Sequence, residues 1–172
     1  MGNIGHSDWP EVAYSFTGGL SWKGFDMSVL FQGTDNVSVS FSSAAAYPFT
    51  SEWGSAQKWH LERWTPERYA NGEKISFPRV ELSPDKQHNY QPSSFWVQDA
   101  SYLRLKNVEL GYKFTSKSLQ KIGLNSMRVY VSGNNLVTWS NMKYNKDPDA
   151  RELWGRVYPS MRVFNGGVNF QF

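Results

Sequence analysis

The last stretch of the chain, residues 160–172, constrains the fold more than any other part of the sequence. Two alternating rows run through it: Phe164, Gly166, Val168, Phe170 and Phe172 in one, Asn165, Gly167, Asn169 and Gln171 in the other. Successive side chains on a strand point to opposite faces, so this pattern predicts a strand with one aromatic face and one polar face. In a soluble domain a terminal strand of this kind would promote edge-to-edge pairing with other molecules. The closing strand of a membrane barrel, by contrast, requires this pattern of one apolar and one polar face. We therefore predict an all-β fold, an antiparallel transmembrane β-barrel segment, with Phe164, Val168, Phe170 and Phe172 on the barrel-closing strand.

The composition is compatible with a barrel and excludes several other classes of protein. Mean hydropathy is −0.57, and no apolar run approaches the roughly 20 residues of a membrane-spanning helix. Aromatic residues make up 16% of the chain, with 8 Trp and 9 Tyr, which fits interfacial girdles or stacking surfaces for sugars and peptides. The net charge of +3 is scattered along the chain, so no nucleic-acid partner is predicted. The absence of cysteine excludes disulfides, thiolate metal sites and a cysteine nucleophile.

Further amphipathic strands precede the terminal one. Lys23-Gly24 is a tight turn between two alternating segments, which predicts a hairpin. In the third segment the apolar parity slips at Lys106-Asn107, which predicts a β-bulge there. The predicted strands are 12–22, 25–31 with an extension over 37–41, 101–114, 127–139 and the terminal strand.

The connections alternate in length. In chain order they are the turn at 23–24, the long loop 42–96, the short connection 115–123 and the long loop 140–159. Outer-membrane barrels alternate short periplasmic turns with long extracellular loops, so the two long loops are predicted to be external. About five strands cannot close a barrel, since about eight are needed, and we expect pairing with strands outside this chain. Residues 1–10 lack the features of a signal peptide, which an exported protein would need. Either the barrel interpretation is wrong or the chain begins inside a larger protein.

Several stretches also match the motifs of a known family in a fixed order. They are residues 22–33 (WKGFDMSVLFQG), 63–67 (RWTPE), 94–112 (SFWVQDASYLRLKNVELGY), 124–136 (LNSMRVYVSGNNL), Tyr158-Pro159 and the Phe-rich end. Together they resemble the SusC/RagA family of TonB-dependent outer-membrane transporters over nearly all 172 residues. The combination is specific, although no single piece would be.

This resemblance implies that residues 1–172 are the C-terminal part of a barrel of about 22 strands. A signal peptide, a small carboxypeptidase-like domain, a TonB-contacting segment and a plug would precede it. The resemblance further implies the outer membrane of a Gram-negative bacterium, outer-membrane lipid around the barrel, energy supplied through TonB, and a SusD/RagB-type surface lipoprotein as partner. The implied cargo is an oligosaccharide or oligopeptide. Residues 69–91 look idiosyncratic, so the identity of the cargo is not carried over.

The Trp-rich part of the first long loop holds the candidate substrate- or partner-facing residues. They are Trp53, Trp59, Arg63, Trp64 and Trp96. On a short helix predicted over 55–63, positions 59 and 63 share a face, so an aromatic plane and a guanidinium could be presented together. The alternative, which we favour, is that these aromatics pack the loop's own core, as large loops commonly do.

No cofactor is predicted. Asp147 and Asp149, with Glu152, are weak candidates for a surface Ca²⁺ site because they lack the spacing of a full calcium loop. The histidines, at positions 6, 60 and 88, have no spacing suited to metal ligation or to a catalytic triad.

Two other functional classes are compatible with parts of the sequence. A soluble β-sandwich carbohydrate-binding module would explain the alternation and the Trp-rich loop, but it explains neither the long loop nor the bare aromatic terminus. A hydrolytic enzyme would need paired carboxylates, and no motif links those available, namely Glu62, Glu67, Asp99 and Glu109. We therefore predict a protein that is not an enzyme.

Overall fold

The predicted amphipathic strands form one antiparallel sheet. The computed structural model describes residues 4–41, 46–49, 54–81, 88–144, 147–149 and 158–172. The chain divides into two compact units. We call Pro10–Asp35, Ser101–Ser140 and Ser160–Phe172 the sheet unit, and Met1–Trp9, Asn36–Ala100 and Asn141–Pro159 the loop unit.

The sheet unit contains five of the seven strands found in the described residues. The strands are β1 (Val12–Trp22), β2 (Phe25–Asp35), β3 (Ser38–Ser40), β4 (Val97–Asp99), β5 (Tyr102–Phe114), β6 (Ser126–Ser140) and β7 (Val163–Gln171). The order in the main sheet is β1-β2-β5-β6-β7, and every neighbouring pair is antiparallel. The remaining pair, β3 and β4, forms a small sheet in the loop unit.

Short connections lie at one end of the main sheet, which we call the turn end. Lys23 and Gly24 have φ values of 47° and 90°, and a two-residue turn with two positive φ angles matches the twist of the flanking strands. The connection from β5 to β6 contains helix α2 (Lys117–Lys121), and Ser116 Oγ caps it by accepting from Leu119 N–H at 3.3 Å. This agrees with the predicted hairpin turn and short connection.

The predicted bulge is confirmed in β5. Leu30 and Phe31 of β2 pair with Asn107 and Leu105, so Lys106 is the additional residue. This extra residue returns the apolar side chains on both sides of the slip to the same face of the sheet.

Strand β6 carries an irregularity at the same level. Two of its residues, Asn135 and Leu136, stand opposite the single Lys106. Asn135 adopts a left-handed conformation with a φ of 53°, and its Nδ2 donates to the Met161 carbonyl at 3.1 Å. Asparagine is one of the few residues that tolerate this conformation.

The cross-strand register places the predicted apolar rows on one side of the sheet, which we call the apolar face. Its apolar members are Val12, Tyr14, Phe16, Leu20, Trp22, Phe25, Met27, Val29, Phe31, Leu103, Leu105, Val108, Leu110, Tyr112, Phe114, Met127, Val129, Val131, Val137, Trp139, Phe164, Val168 and Phe170. The opposite side, the polar face, includes Ser15, Thr17, Asp26, Ser28, Gln32, Glu109, Arg128, Ser132, Asn134, Asn165, Asn169 and Gln171. The apolar face is exposed: Phe16, Leu20 and Phe164 are 63%, 69% and 75% accessible.

The loop unit has a core of its own. Its buried residues are Phe41, Ala46, Phe77, Trp96 and Tyr144, with a smaller cluster of Val37, Ala100 and Met142. Its short helices are 3₁₀ turns over Lys58–Glu62 and His88–Tyr90, and α1 over Pro66–Ala70. In the described part of the chain, no helix is long and apolar enough to cross a membrane.

Two local predictions differ from the structure. The helix predicted over 55–63 is a shorter 3₁₀ turn, Lys58–Glu62. The segment 37–41 does not extend β2: it contributes β3, which pairs with β4 and not with the main sheet. Asn36, with a φ of 53°, separates the two strands because a left-handed residue interrupts the extended backbone.

Candidate functional site

A depression in the loop unit is the strongest candidate for a binding site. Its volume is about 1160 Å³. We call it the basic depression after the charged residues that line it in the described part of the chain, Lys58, Lys74, Arg79 and Lys143, together with the carboxylate Glu62. Its aromatic lining residues are Trp59, Trp64, Phe77, Phe95 and Tyr144.

The aromatic core forms the base of this depression. The Phe77 ring packs edge-on against Trp96 at 5.6 Å between centroids and against Tyr144 at 6.0 Å. Trp96 Nε1 donates to the Asn89 carbonyl at 3.0 Å, which satisfies the polar atom of a side chain that is only 1% exposed. Edge-to-face ring pairs with their polar atoms satisfied give the depression a rigid floor.

The 3₁₀ turn that carries Lys58 and Trp59 is held by a buried histidine. Gln57 N–H donates to His60 Nδ1 at 2.8 Å, and His60 Nε2 lies 3.0 Å from the Ala46 carbonyl. Because Nδ1 accepts a hydrogen bond, the proton is on Nε2, which donates to Ala46. Burial lowers the pKa of His60, so the imidazole is neutral. His60 therefore has a structural role.

Backbone hydrogen bonds join the Trp-rich segment to the opposite wall. Trp64 N–H donates to the Phe77 carbonyl at 2.8 Å, and the Glu62 carbonyl accepts from Ser76 and Phe77 N–H at 3.1 and 3.2 Å. The Glu62 carboxylate accepts from the Ser76 hydroxyl and lies 3.3 Å from Lys74 Nζ. The hydrogen bonds from Ser76 and then Lys74 lower the pKa of Glu62. Glu62 is therefore ionised and already partnered.

Residues 143 and 144 are positioned by a buried glutamine. Gln98 Oε1 accepts from the N–H groups of Lys143 and Tyr144 at 3.0 and 3.1 Å. The Tyr144 hydroxyl donates to the Ser76 carbonyl at 3.1 Å. These bonds bring a residue of the second long loop beside residues of the first.

The structure separates the residues predicted from sequence. Trp59 and Trp64 line the basic depression, and Trp59 also packs against the aromatic core in which Trp96 is buried. Arg63 is not among the lining residues; it is exposed, and its Nη1 donates to the His60 carbonyl at 3.3 Å. It follows the last residue of the 3₁₀ turn in extended conformation, so a shared helical face with Trp59 does not form. Trp53 lies outside the described residues.

The weak calcium candidates form a local turn. Asp149 N–H donates to Asp147 Oδ1 at 3.1 Å, and Glu152 lies outside the described residues. Among the residues that the structure describes, no group of three or more His, Cys, Asp or Glu side chains could hold a metal ion.

The polar face carries an ion cluster that the sequence did not indicate. Arg128 Nε donates to Asp26 Oδ1 at 3.0 Å and its Nη2 to Glu109 Oε1 at 2.7 Å. The guanidinium crosses over Gly111, where a Cβ would lie 2.7 Å from Arg128 Cζ. The cluster thus joins β2 to β6 across the intervening strand β5, and only glycine leaves room for it.

Curated proteins of Formosa agariphila are similar to almost the whole chain. TonB-dependent receptor P26 is 29% identical over 178 residues, covering 96% of this chain, and TonB-dependent receptor P3 is 28% identical over 175 residues, covering 95%. A chain of the RagAB peptide importer in its open-open state covers 97% of this chain with a TM-score of 0.68 at 25% identity. The predicted resemblance to the SusC/RagA-type TonB-dependent receptors is confirmed.

The similarity to these receptors concerns a part of each of them. This chain spans 17% of P26, 16% of P3 and 18% of the RagAB chain. The closed-closed state of RagAB has the same fold here, with a TM-score of 0.72 at 22% identity. No family model matches the chain. The relatives are named as receptors and as an importer.

Proposed function

We propose that this chain is the C-terminal part of the barrel wall of a TonB-dependent nutrient importer in the outer membrane of a Gram-negative bacterium. The apolar face meets the lipid and the polar face meets the aqueous lumen. The similarity to TonB-dependent receptors and to the RagAB importer supports this proposal. Its mechanism is binding and gated passage of cargo, without a bond-breaking step.

The distribution of side chains on the apolar face is the observation that carries the proposal. The two rows next to the turn-end row are mainly aliphatic: Leu20, Met27, Leu110 and Val131 are cross-strand neighbours in one, and Val29 and Val108 pair in the other, which ends in Phe164. At the turn end the neighbours Trp22, Phe25 and Tyr112 are aromatic, and Tyr14, Phe16 and Trp139 lie toward the other end. Membrane barrels have such an apolar band between two aromatic girdles.

The outer edges of the sheet also favour a larger barrel. Within the described ranges, β1 and β7 each pair with one neighbour only, and they are 11 and 9 residues long. Long unpaired strand edges promote aggregation unless another strand covers them. We propose that both edges pair with strands elsewhere in the same protein, in a barrel of about 22 strands.

Strand direction supports an external position for the long loops. Four of the strand ends that the loop segments join, Val12, Asp35, Tyr102 and Ser140, lie at the end of the sheet opposite the turn end. Strand β7 begins partway along the sheet, where Val163 pairs with Asn134, and runs toward the turn end. In barrels of this kind long loops are extracellular and short turns periplasmic. We propose that the loop unit contacts cargo or a SusD/RagB-type lipoprotein, and that a plug region connects the protein to TonB.

The exposed apolar face does not favour the alternative of a soluble β-sandwich. A sandwich buries one face of each sheet against another sheet. In the part of the chain that the structure describes, Phe16, Leu20 and Phe164 of this face remain more than half exposed.

A pair of neighbouring arginine substitutions tests which face meets lipid. Val131→Arg places a charge on the apolar face, and near the bilayer midplane it should destabilise the full-length protein by about 2–4 kcal/mol. Assembly into the outer membrane, measured by the shift of folded protein on an unheated gel, should fall sharply.

Ser132→Arg is the matched control. Ser132 lies on the polar face opposite Glu109, so an arginine there would remain in water beside a carboxylate, and assembly should be close to that of the parent protein. Equal assembly of the two variants, or a greater loss for Ser132→Arg, would overturn the proposed orientation.

A further inference from the structure

We propose that the basic depression binds an anionic oligosaccharide through carboxylate or sulfate groups on its sugar rings. This inference rests on the proposed function and specifies its cargo: a charged oligosaccharide and not a neutral one.

The charge of the depression is the first reason. Lys74 is partnered by Glu62, at 3.3 Å from Nζ to Oε2. Within the described ranges, the other basic lining residues, Lys58, Arg79 and Lys143, have no carboxylate partner. All three are exposed. Among the described lining residues, four basic side chains and one carboxylate give a net charge of +3. A concave surface with one sign of charge concentrates ligands of the opposite sign.

The lining also offers aromatic planes beside these charges. The Phe95 ring is 45% exposed, and Trp64 is half-buried. Amphipathic and apolar rings provide flat surfaces against which the C–H face of a sugar can pack. A volume of about 1160 Å³ exceeds the roughly 300–1,000 Å³ of pockets for single small molecules. The depression therefore suits an oligomer with alternating apolar faces and anionic groups.

The basic residues lie on segments whose backbone is held by hydrogen bonds. Lys58 belongs to the 3₁₀ turn held by His60, Arg79 follows the segment bonded to Glu62 and Trp64, and Lys143 N–H donates to Gln98. Because these backbone positions are constrained before a ligand arrives, binding has to order only the side-chain tips.

An acidic peptide is the competing ligand, and the lining argues against it. Extended peptides are commonly bound by strand addition, which requires a row of free backbone groups on a strand edge. The described residues that line the depression lie on 3₁₀ turns and irregular segments, and none belongs to a named strand. Without such an edge among the described lining residues, strand addition is not available, and the aromatic planes beside the charges favour a sugar ring as the ligand.

Binding assays on the full-length receptor in detergent test the inference. The probes are a short oligogalacturonate, a sulfated oligogalactan of similar length, a neutral galacto-oligosaccharide and a polyglutamate peptide. At least one anionic oligosaccharide should bind at least about tenfold more tightly than the neutral one. This affinity should weaken as salt rises, because screening shortens the range of charge interactions. The uronate and sulfate probes distinguish which anionic group is preferred.

Charge-neutralising variants locate the site. Lys58→Gln, Arg79→Gln and Lys143→Gln combined should reduce anionic oligosaccharide affinity by about tenfold or more. The matched control, Lys117→Gln with Lys121→Gln on helix α2, also removes basic charges and should leave the affinity unchanged. Phe95→Ala should weaken the oligosaccharide but not inorganic sulfate. Thermal unfolding of each variant establishes that it is folded.

Several outcomes would overturn the inference. They are equal binding of neutral and anionic oligosaccharides, tighter binding of polyglutamate, no oligosaccharide binding at all, and equal losses in the triple variant and its control. The arginine pair at positions 131 and 132 does not depend on any ligand. If the receptor assembles as proposed but fails these binding assays, the inference of an anionic oligosaccharide cargo is wrong. The proposal of a barrel segment would still stand.

Discussion

At the scale of single residues, close contacts leave no room for a side chain at Gly33. It lies in β2 opposite Tyr14 of β1, and the Tyr14 hydroxyl donates to the Tyr102 carbonyl at 3.5 Å. A Cβ at Gly33 would lie 2.6 Å from that carbonyl oxygen and against the Tyr14 ring. Backbone atoms cannot move aside as a flexible side chain can, so this glycine is required for β1, β2 and β5 to approach one another.

Gly33→Ala should therefore be destabilising. We expect a loss of about 1–3 kcal/mol, the usual cost of overpacking, measured as a lower temperature of unfolding of the full-length protein in detergent. Gly19→Ala in the same hairpin is the control, since the nearest atom to its Cβ, the Met27 carbonyl oxygen, is 3.6 Å away. An equal effect of the two substitutions would refute this explanation.

His60 makes the stability of the loop unit dependent on pH. Burial lowers its pKa from the ordinary value of 6.5, so below about pH 6.5 the opened loop takes up a proton more readily than the closed one. The contribution of neutral His60 to the stability of the closed loop unit is fully present above about pH 6.5. As the pH falls below this value, the contribution should decrease by at most about 1.4 kcal/mol per pH unit. Hydrogen exchange at the Gln57 amide, corrected for intrinsic rates, measures this change.

The control for this prediction is His60→Gln, which keeps a hydrogen-bond donor and acceptor at the position but does not titrate in this pH range. The dependence of the exchange on pH should largely disappear in this variant. If it remains, another group is responsible.

At the scale of elements, the paired irregularities in β5 and β6 keep the apolar face continuous. Lys106 is the extra residue of β5 against β2, and Asn135 and Leu136 oppose it in β6. Without them, the apolar side chains before and after the slip would point to opposite faces, since a shift of one residue inverts a strand. The left-handed Asn135 is the residue on which this arrangement depends most.

Asn135→Val should destabilise the sheet by about 1–3 kcal/mol, because a β-branched residue is strained at a φ of 53°. Asn135→Gly should cost less, since glycine adopts this conformation freely and only the hydrogen bond to Met161 is lost. Denaturant unfolding of the full-length protein compares them. A glycine variant less stable than the valine variant would contradict the role of the backbone conformation.

The strands were predictable because their signal is local. Alternation predicted the five long strands, and the parity slip at Lys106-Asn107 predicted the bulge. Thr65 and Pro66 are an N-cap and first-turn pair that could have predicted helix α1, whose Arg68 N–H donates to Thr65 Oγ1 at 3.2 Å. The pairing of β3 with β4 could not be predicted, since it joins segments separated by the long loop and has no periodicity of its own.

At the scale of the whole molecule, the candidate binding depression was less predictable than the sheet. Lys58, Arg79 and Lys143 are far apart in sequence, and only the packing of the loop unit brings them to one depression. Trp59 and Trp64 were found from the sequence because the Trp-rich run marks the region. Trp96 was also a candidate, but its ring belongs to the core, and composition alone cannot separate a buried tryptophan from a half-exposed one.

The central claim is that one face of the sheet meets hydrocarbon and the other meets water. The 172 residues contain no cysteine, so single cysteines can be introduced into them without a competing thiol from this segment. The sites are Val131 and Val168 on the apolar face, and Ser132 and Asn169 on the polar face.

Spin-label accessibility in the full-length protein, reconstituted in lipid, is the most direct test. Labels at 131 and 168 should collide with oxygen, which concentrates in hydrocarbon. Those at 132 and 169 should collide with a water-soluble nickel complex. The account predicts that this preference alternates between neighbouring positions. Uniform accessibility to the nickel complex at all four positions, or a reversed alternation, would contradict it.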